Sequence, residues 1–196
     1  MRKTETALFE TIRIEEGVAA NLPYHNARLN HTRKALFDSE EPIDLSEHLQ
    51  NIPPKGLYRA KVIYDKKSIK AYYYIYKPKI IEKIKLVEVA FGYPYKYLDR
   101  EEIDTLLETT HGADEIILTQ DGLLTDTSIA NLALRQDGIW YTPSTPLLPG
   151  TTRARLLDEG KIIPRDIPVS EIVHYDGLAL MNAMIGFYEI ETDLLS

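Results

Sequence analysis

Apolar and polar residues alternate along residues 7–14, ALFETIRI, with the period of two that a half-buried strand requires, and the run stops at the turn Glu15-Glu16-Gly17. The period then changes. In residues 24–37, YHNARLNHTRKALF, the side chains of Leu29, Arg33 and Phe37 recur at helical spacing. DLSEHL (44–49) suggests a second, short helix. Two β-prone runs follow, GLYRAKVIYD (56–65) and SIKAYYYIYK (68–77), and the polar DKK that joins them predicts a hairpin.

KPKIIEK (77–83), with Pro78 and four charges, reads as a linker. Beyond it the pattern predicts a strand at KLVEVAF, a helix at LDREEIDTLLETTHG closed by Gly112, and a hairpin at EIILTQDGLLTD turning on Asp121-Gly122. A second hairpin, NLALRQDGIWYTP, turns on Gln136-Asp137-Gly138; a helix, GTTRARLLDEG, and a terminal GLALMNAMIGFYEIETD region follow. Strands and helices mix without internal repeats. The expectation is an α+β chain of two units, residues 1–80 and 81–196.

Composition narrows the classes of function. With 30 acidic against 23 basic side chains the chain carries a net charge of −7, so it offers no electrostatic footprint for nucleic acid. It has no cysteine, which excludes disulfides, thiolate catalysis and cysteine-ligated zinc. His25 and His31, six residues apart, do not share a helix face, so no metal is expected. MRKTETALFETIRIEEG lacks an apolar leader core, and no run approaches a membrane span. A soluble, cytosolic protein is expected.

The candidate chemistry starts at GYPYKYLDR (92–100), where Lys96 lies between Tyr95 and Tyr97. A lysine is a nucleophile only where its ammonium form is destabilised, and two flanking tyrosines could exclude water; a solvated surface lysine is the alternative. Thirty residues on, Asp126 follows a strand, with Asn131 at the start of the next. Asp126 is either a turn former or the buried acid that keeps a pyridinium ring protonated. TPSTPLLPGTTRARLL (142–157) runs from a proline-rich loop into Gly150, Thr151 and Thr152 and then a helix, either a capped start or an anion site. Arg28 lies on the first predicted helix, open to solvent or to the same anion.

Taken in order, HNARL, YKYLDR, GADEIILTQDGLLTDTSIANLAL and TPLLPGTTR resemble the class IV aminotransferase family of pyridoxal-phosphate enzymes, over most of the chain, and FETIR (9–13) resembles a strand of that family. The resemblance implies fold type IV, like D-amino-acid aminotransferase: a small N-terminal α/β sandwich and a barrel-like C-terminal domain that binds pyridoxal 5′-phosphate. It implies that Lys96 forms the Schiff base and shuttles the proton, and that Asp126 faces the ring nitrogen where the family usually has glutamate. Arg28, Thr151 and Thr152 would hold the phosphate. Arg59, Tyr97, Arg100 and Asn182 are candidates for the substrate, Arg59 for its carboxylate if it does not merely face solvent.

The family includes aminodeoxychorismate lyase and the branched-chain and D-amino-acid aminotransferases. Lys96-x-x-x-Arg100 and LMNAMIGFYEI resemble the lyase branch, which places the expected reaction, pyruvate elimination, in folate biosynthesis. A non-catalytic descendant of the same fold is the competing class. Three features depart from the family: Asp126 is one methylene shorter than glutamate, Ala183 replaces a serine, and the strand with its Tyr-Gly segment that usually precedes FETIR has no counterpart. A homodimer is implied by the resemblance, and part of the substrate wall is expected either to be absent or to come from the partner subunit.

Overall fold

The computed structural model describes residues 6–191 and divides them into two compact units. The first contains β1 (Leu8–Glu15), β2 (Val18–Ala19), α1 (Leu22–Phe37), β3 (Leu57–Tyr64) and β4 (Ile69–Ile75). Its strands pair antiparallel in the order β2-β1-β3-β4. Period-two alternation sorts them into faces. Leu8, Glu10, Ile12 and Ile14 pair with Tyr64, Val62, Ala60 and Tyr58. That face is covered by Leu29 of α1 and by Leu45 and Leu49 of the segment after it. The opposite face carries Phe9, Thr11, Arg13, Arg59, Lys61, Tyr72 and Tyr74. The short helix expected at 44–49 is a single 3-10 turn, Leu45–Glu47, started by the Asp44 carboxylate, which accepts from Ser46 N.

The second unit contains β5 (Ile84–Glu88), α2 (Glu101–Thr109), β6 (Glu115–Gln120), β7 (Leu123–Thr127), β8 (Asn131–Gln136) and β9 (Ile139–Pro143). It continues with α3 (Thr151–Asp158), β10 (Ile163–Arg165), β11 (Gly177–Asn182) and β12 (Gly186–Ile190). The sheet runs β10-β9-β8-β7-β6-β5, with β11 on β8 and β12 on β11. β5–β6 and β9–β10 are parallel, with α2 and α3 in their crossovers; the other pairs are antiparallel. β11 takes one edge of β8, while the other edge carries β9 near its end and β7 at its start, through Asp126 opposite Asn131. Ile117, Leu124, Leu132, Leu134, Leu178 and Leu180 fill the core between these strands. β10 and a 3-10 turn at Val169–His174 have no counterpart in the expected elements.

The units divide at Lys77 and Pro78, but Tyr95–Asp99 belong to the first unit, which departs from a single cut near residue 80. The reason is backbone pairing. Phe9 N donates to Lys96 O at 2.9 Å, Leu98 N donates to Ala7 O at 2.9 Å, and Leu8 and Tyr97 form an antiparallel bridge. Residues 96–98 thus extend the sheet beside the first residues of β1. Among the described residues no helix is long and apolar enough to cross a membrane.

Asp121 and Gly122 both have positive φ, 52° and 74°, as a two-residue turn in a right-twisted hairpin requires. A Cβ on Gly122 would meet nothing within 4 Å. Gly122→Ala is therefore expected to cost only the backbone term, about 1 kcal/mol, measured as a shift in the urea midpoint with an unchanged slope.

Candidate active site

The strand-like pairing of residues 96–98 explains the Tyr-Lys-Tyr order. Tyr97 N also donates to Tyr95 O at 2.9 Å, a tight turn centred on Lys96, so Tyr95 and Tyr97 go together and Lys96 goes the other way. Both tyrosines pack against the core cluster of the first unit. Their rings meet edge to face at 6.0 Å. Lys96 projects on the opposite face of the sheet, where its Nζ lies 4.6 Å from the centre of the Phe9 ring. The tyrosines therefore hold the backbone that carries Lys96. Burial pushes the Tyr97 hydroxyl pKa up.

Glu10 is the single acidic residue on the core face of β1 and is fully buried. Arg28, on α1, donates to both of its oxygens, Nε to Oε1 at 2.9 Å and Nη2 to Oε2 at 2.5 Å. His25, one helical turn earlier, places Nδ1 2.7 Å from Oε2. Burial alone would raise the Glu10 pKa, but the Arg28 charge and the hydrogen bonds from His25 and Arg28 outweigh it and hold it at about 2. His25-x-x-Arg28 is thus a helix-face pair that grips one carboxylate. Glu10 lies within FETIR, and a charged residue on the apolar face of a strand is the signal in the sequence that it needs a cation.

In the second unit Asp126 is buried, and each of its oxygens accepts one hydrogen bond, Oδ1 from Asn131 Nδ2 at 2.5 Å and Oδ2 from Leu148 N at 2.7 Å. Burial pushes its pKa up to about 7, against these hydrogen bonds and the charge of Arg153. Asn131 also donates to Leu148 O at 2.9 Å. Its Oδ1 presses on Gly150, where a Cβ would come within 1.9 Å of it, so only glycine fits. Gly150 is the N-cap of α3, and the first bond of the helix ladder runs from Ala154 N to Gly150 O. The N–H groups of Thr151, Thr152 and Arg153 therefore precede the ladder, and both threonines are buried. One asparagine side chain joins the acid to the helix start.

The loop after Asp126 is held from three sides. Arg100 Nη2 donates to Ser128 O at 2.7 Å and pairs with Asp104 at 3.2 Å. Glu115 is fully buried; its Oε1 accepts from Ser128 N and Ile116 N, each at 3.0 Å, and its Oε2 lies 3.5 Å from Lys79 Nζ. Asn182 Nδ2 donates to Ile129 O at 3.3 Å, and its Oδ1 accepts from Met184 N and Ile185 N in the β11–β12 turn. Arg100 and Asn182 thus both reach the loop beside the acid. Arg59 is exposed on the outer face of the first unit, its guanidinium 5.4 Å over the Tyr74 ring. Glu10, Glu115, Asn131 and Arg153 carry much of this polar structure; Glu115, at the start of β6 beside Asp114, has no signal in the sequence like that of Glu10.

Residues 97–192 match the family described as amino-transferase class IV. The chain is 37% identical to an uncharacterized protein of Haemophilus influenzae, over 91% of this chain and 98% of that protein. It is also similar to the crystal structure of a candidate 4-amino-4-deoxychorismate lyase from Haemophilus somnus, at 34% identity and a TM-score of 0.85, over 95% of this chain and 99% of that one. A hypothetical aminotransferase from Mycobacterium tuberculosis, solved with PLP bound, shares the fold at 16% identity and a TM-score of 0.82, over 98% of this chain and 82% of that one. The chain belongs to the class IV aminotransferase family, and its fold is the two-domain fold type IV of that family.

Two consequences are measurable. Glu10→Gln leaves the Arg28 cation without its carboxylate and is expected to cost about 3–5 kcal/mol of stability in urea unfolding. For Asp126, the acid is protonated in the folded state and ionised in the unfolded state between about pH 4 and pH 7, so the folded protein binds the extra proton. Its contribution therefore falls as pH rises through that window, by at most about 4 kcal/mol. Asp126→Asn in the cofactor-free protein should remove this part of the pH dependence, read as the difference between wild-type and variant urea midpoints across the window.

Proposed function

We propose that this protein is a pyridoxal-phosphate-dependent enzyme that acts on an amino-group substrate through Lys96, and that its reaction is the release of pyruvate from 4-amino-4-deoxychorismate to leave 4-aminobenzoate. The observation that carries the cofactor reading is the Asn131 junction, which ties a buried acid to a helix start with three N–H groups and two buried hydroxyls. The residues fit the group. Asp126 is buried enough to favour a proton shared with a ring nitrogen, and the bonds it accepts from Asn131 and Leu148 orient its carboxyl. The N–H groups of Thr151 and Thr152 with their hydroxyls suit a phosphate, while Arg28, the third phosphate candidate of the family resemblance, has its guanidinium on Glu10.

Bound pyridoxal phosphate supplies an electron-withdrawing ring that stabilises negative charge on the carbon beside the substrate nitrogen. The chain's part is to hold and move protons. Asp126, held by Asn131 and Leu148, would be the residue to hold a proton shared with the ring nitrogen. Lys96, on a paired backbone segment, takes the proton from the amine-bearing carbon of the substrate. The enolpyruvyl C–O bond then breaks, the proton ends on the departing three-carbon unit as pyruvate, and the six-membered ring becomes aromatic. Arg100 and Asn182 hold the Ser128–Ile129 loop beside the acid. The lyase reading rests on Lys96-x-x-x-Arg100 and on 34% identity to the candidate lyase. A homodimer, implied by the family resemblance, belongs to the same proposal.

Borohydride treatment of the loaded protein should fix the cofactor on the peptide that contains Lys96, and Lys96→Ala should carry no label and lose turnover by at least about a thousandfold. With 4-amino-4-deoxychorismate the wild type should yield pyruvate and 4-aminobenzoate. Amino-group transfer from L- or D-amino acids to 2-oxoglutarate, with neither product formed from the chorismate derivative, would replace the lyase reading by a transaminase. Protein that takes up no cofactor would sink both.

A further inference from the structure

The outer face of the first unit's sheet is cationic and aromatic. Cross-strand pairing sets Arg13 beside Arg59 and Thr11 beside Lys61, with Tyr74 and Tyr72 next to them on β4. Like charges directly opposed across a pair are unfavourable. Arg13 is answered by Glu15 at 3.1 Å. Among the described residues Lys61 and Arg59 have no carboxylate partner and instead lie over aromatic rings, Lys61 Nζ 5.0 Å from the centre of Phe9 and Arg59 over Tyr74. A ring holds a cation without neutralising it.

The Phe9 ring is the point of contact with the reactive lysine. It is 7% exposed, and two ammonium groups border it, Lys61 at 5.0 Å and Lys96 at 4.6 Å. We propose that Lys61 is the residue that recognises a carboxylate on the substrate of the Lys96 site, so that the amine this protein accepts carries its negative charge close to its nitrogen. The inference rests on Lys96 being the reactive amine. A compact ammonium suits this task because it attracts a carboxylate from any approach, without the fixed fork of a guanidinium. Arg59 lies one pleat repeat further along the strand, about 7 Å, and is less directly placed for a charge adjacent to the reacting nitrogen.

The test separates charge recognition from turnover. Binding of benzoate and of its neutral counterpart benzamide is measured calorimetrically on wild type, Lys61→Gln, Lys61→Arg, Arg59→Gln and, as a surface control, Lys66→Gln. Wild type is expected to prefer benzoate by about tenfold or more, the effect of one charge-assisted hydrogen bond. Lys61→Gln should abolish that preference, Lys61→Arg should restore most of it, and Arg59→Gln and Lys66→Gln should keep it. In steady-state assays Lys61→Gln should raise KM about tenfold with kcat within about threefold. Preference retained in Lys61→Gln, or lost in Arg59→Gln instead, overturns the proposal, as does an unchanged KM. Carboxylate preference that depends on Lys61 in a protein that takes up no cofactor would leave the anion site standing and remove the enzymatic reading instead.

Discussion

The pairing of residues 96–98 with the start of β1 is the constraint on which the candidate site in the first unit depends. Two backbone hydrogen bonds and one bridge convert a short stretch after Pro94 into an added strand. That pairing, with the tight turn closed by Tyr97 N on Tyr95 O, sets the side-chain directions. Tyr95 and Tyr97 enter the core, and Lys96 is left on the face that carries Phe9, Lys61 and Arg59. A slip of one residue in this pairing would bury the lysine and expose two tyrosines, so the register is specified by burial as much as by hydrogen bonds. The rigidity of the lysine's backbone is therefore inherited from the core of the first unit.

Two buried carboxylates show how environment decides the role of one functional group. Glu10 has a guanidinium fork and an imidazole, and these overcome the cost of burying its charge. Asp126 has the Asn131 amide and the backbone N–H groups of Leu148 and, more weakly, Leu147, with the Arg153 charge beyond them, and burial prevails. The first is a settled ion pair that orients Arg28. The second is an acid that burial favours in its protonated form. Asn131 matters because the same side chain orients the acid and excludes everything but glycine at the start of α3.

Much of this was legible in the residues. Alternation in ALFETIRI, the helical spacing after Tyr24, the Asp-Gly turns and the Gly-Thr-Thr helix start are short-range patterns, and each gave its element. Boundaries moved where tertiary contacts compete with local preference: DLSEHL yields only a 3-10 turn under Leu29, and IPR pairs with β9 because the crossover through α3 brings it there. The roles of Glu115 and Arg153 were not legible, since burial of a polar residue depends on what other segments lie over it. Arg100 and Asn182 could be singled out by motif, but their convergence on the Ser128–Ile129 loop is a property of the folded unit.

By itself the sequence determined the order of strands and helices and the turn chemistry, because periodicity and spacing are local and survive in a single chain, and its motifs carried the resemblance to the class IV family. Only the tertiary structure decided which way Lys96 faces, that Glu10 is the partner of Arg28, and that Asn131 links Asp126 to Gly150. Those outcomes depend on which distant segments pair and which charges are removed from water, and no local pattern encodes them. The lysine between two tyrosines is a reactive candidate by its motif and a directed one by the sheet it joins.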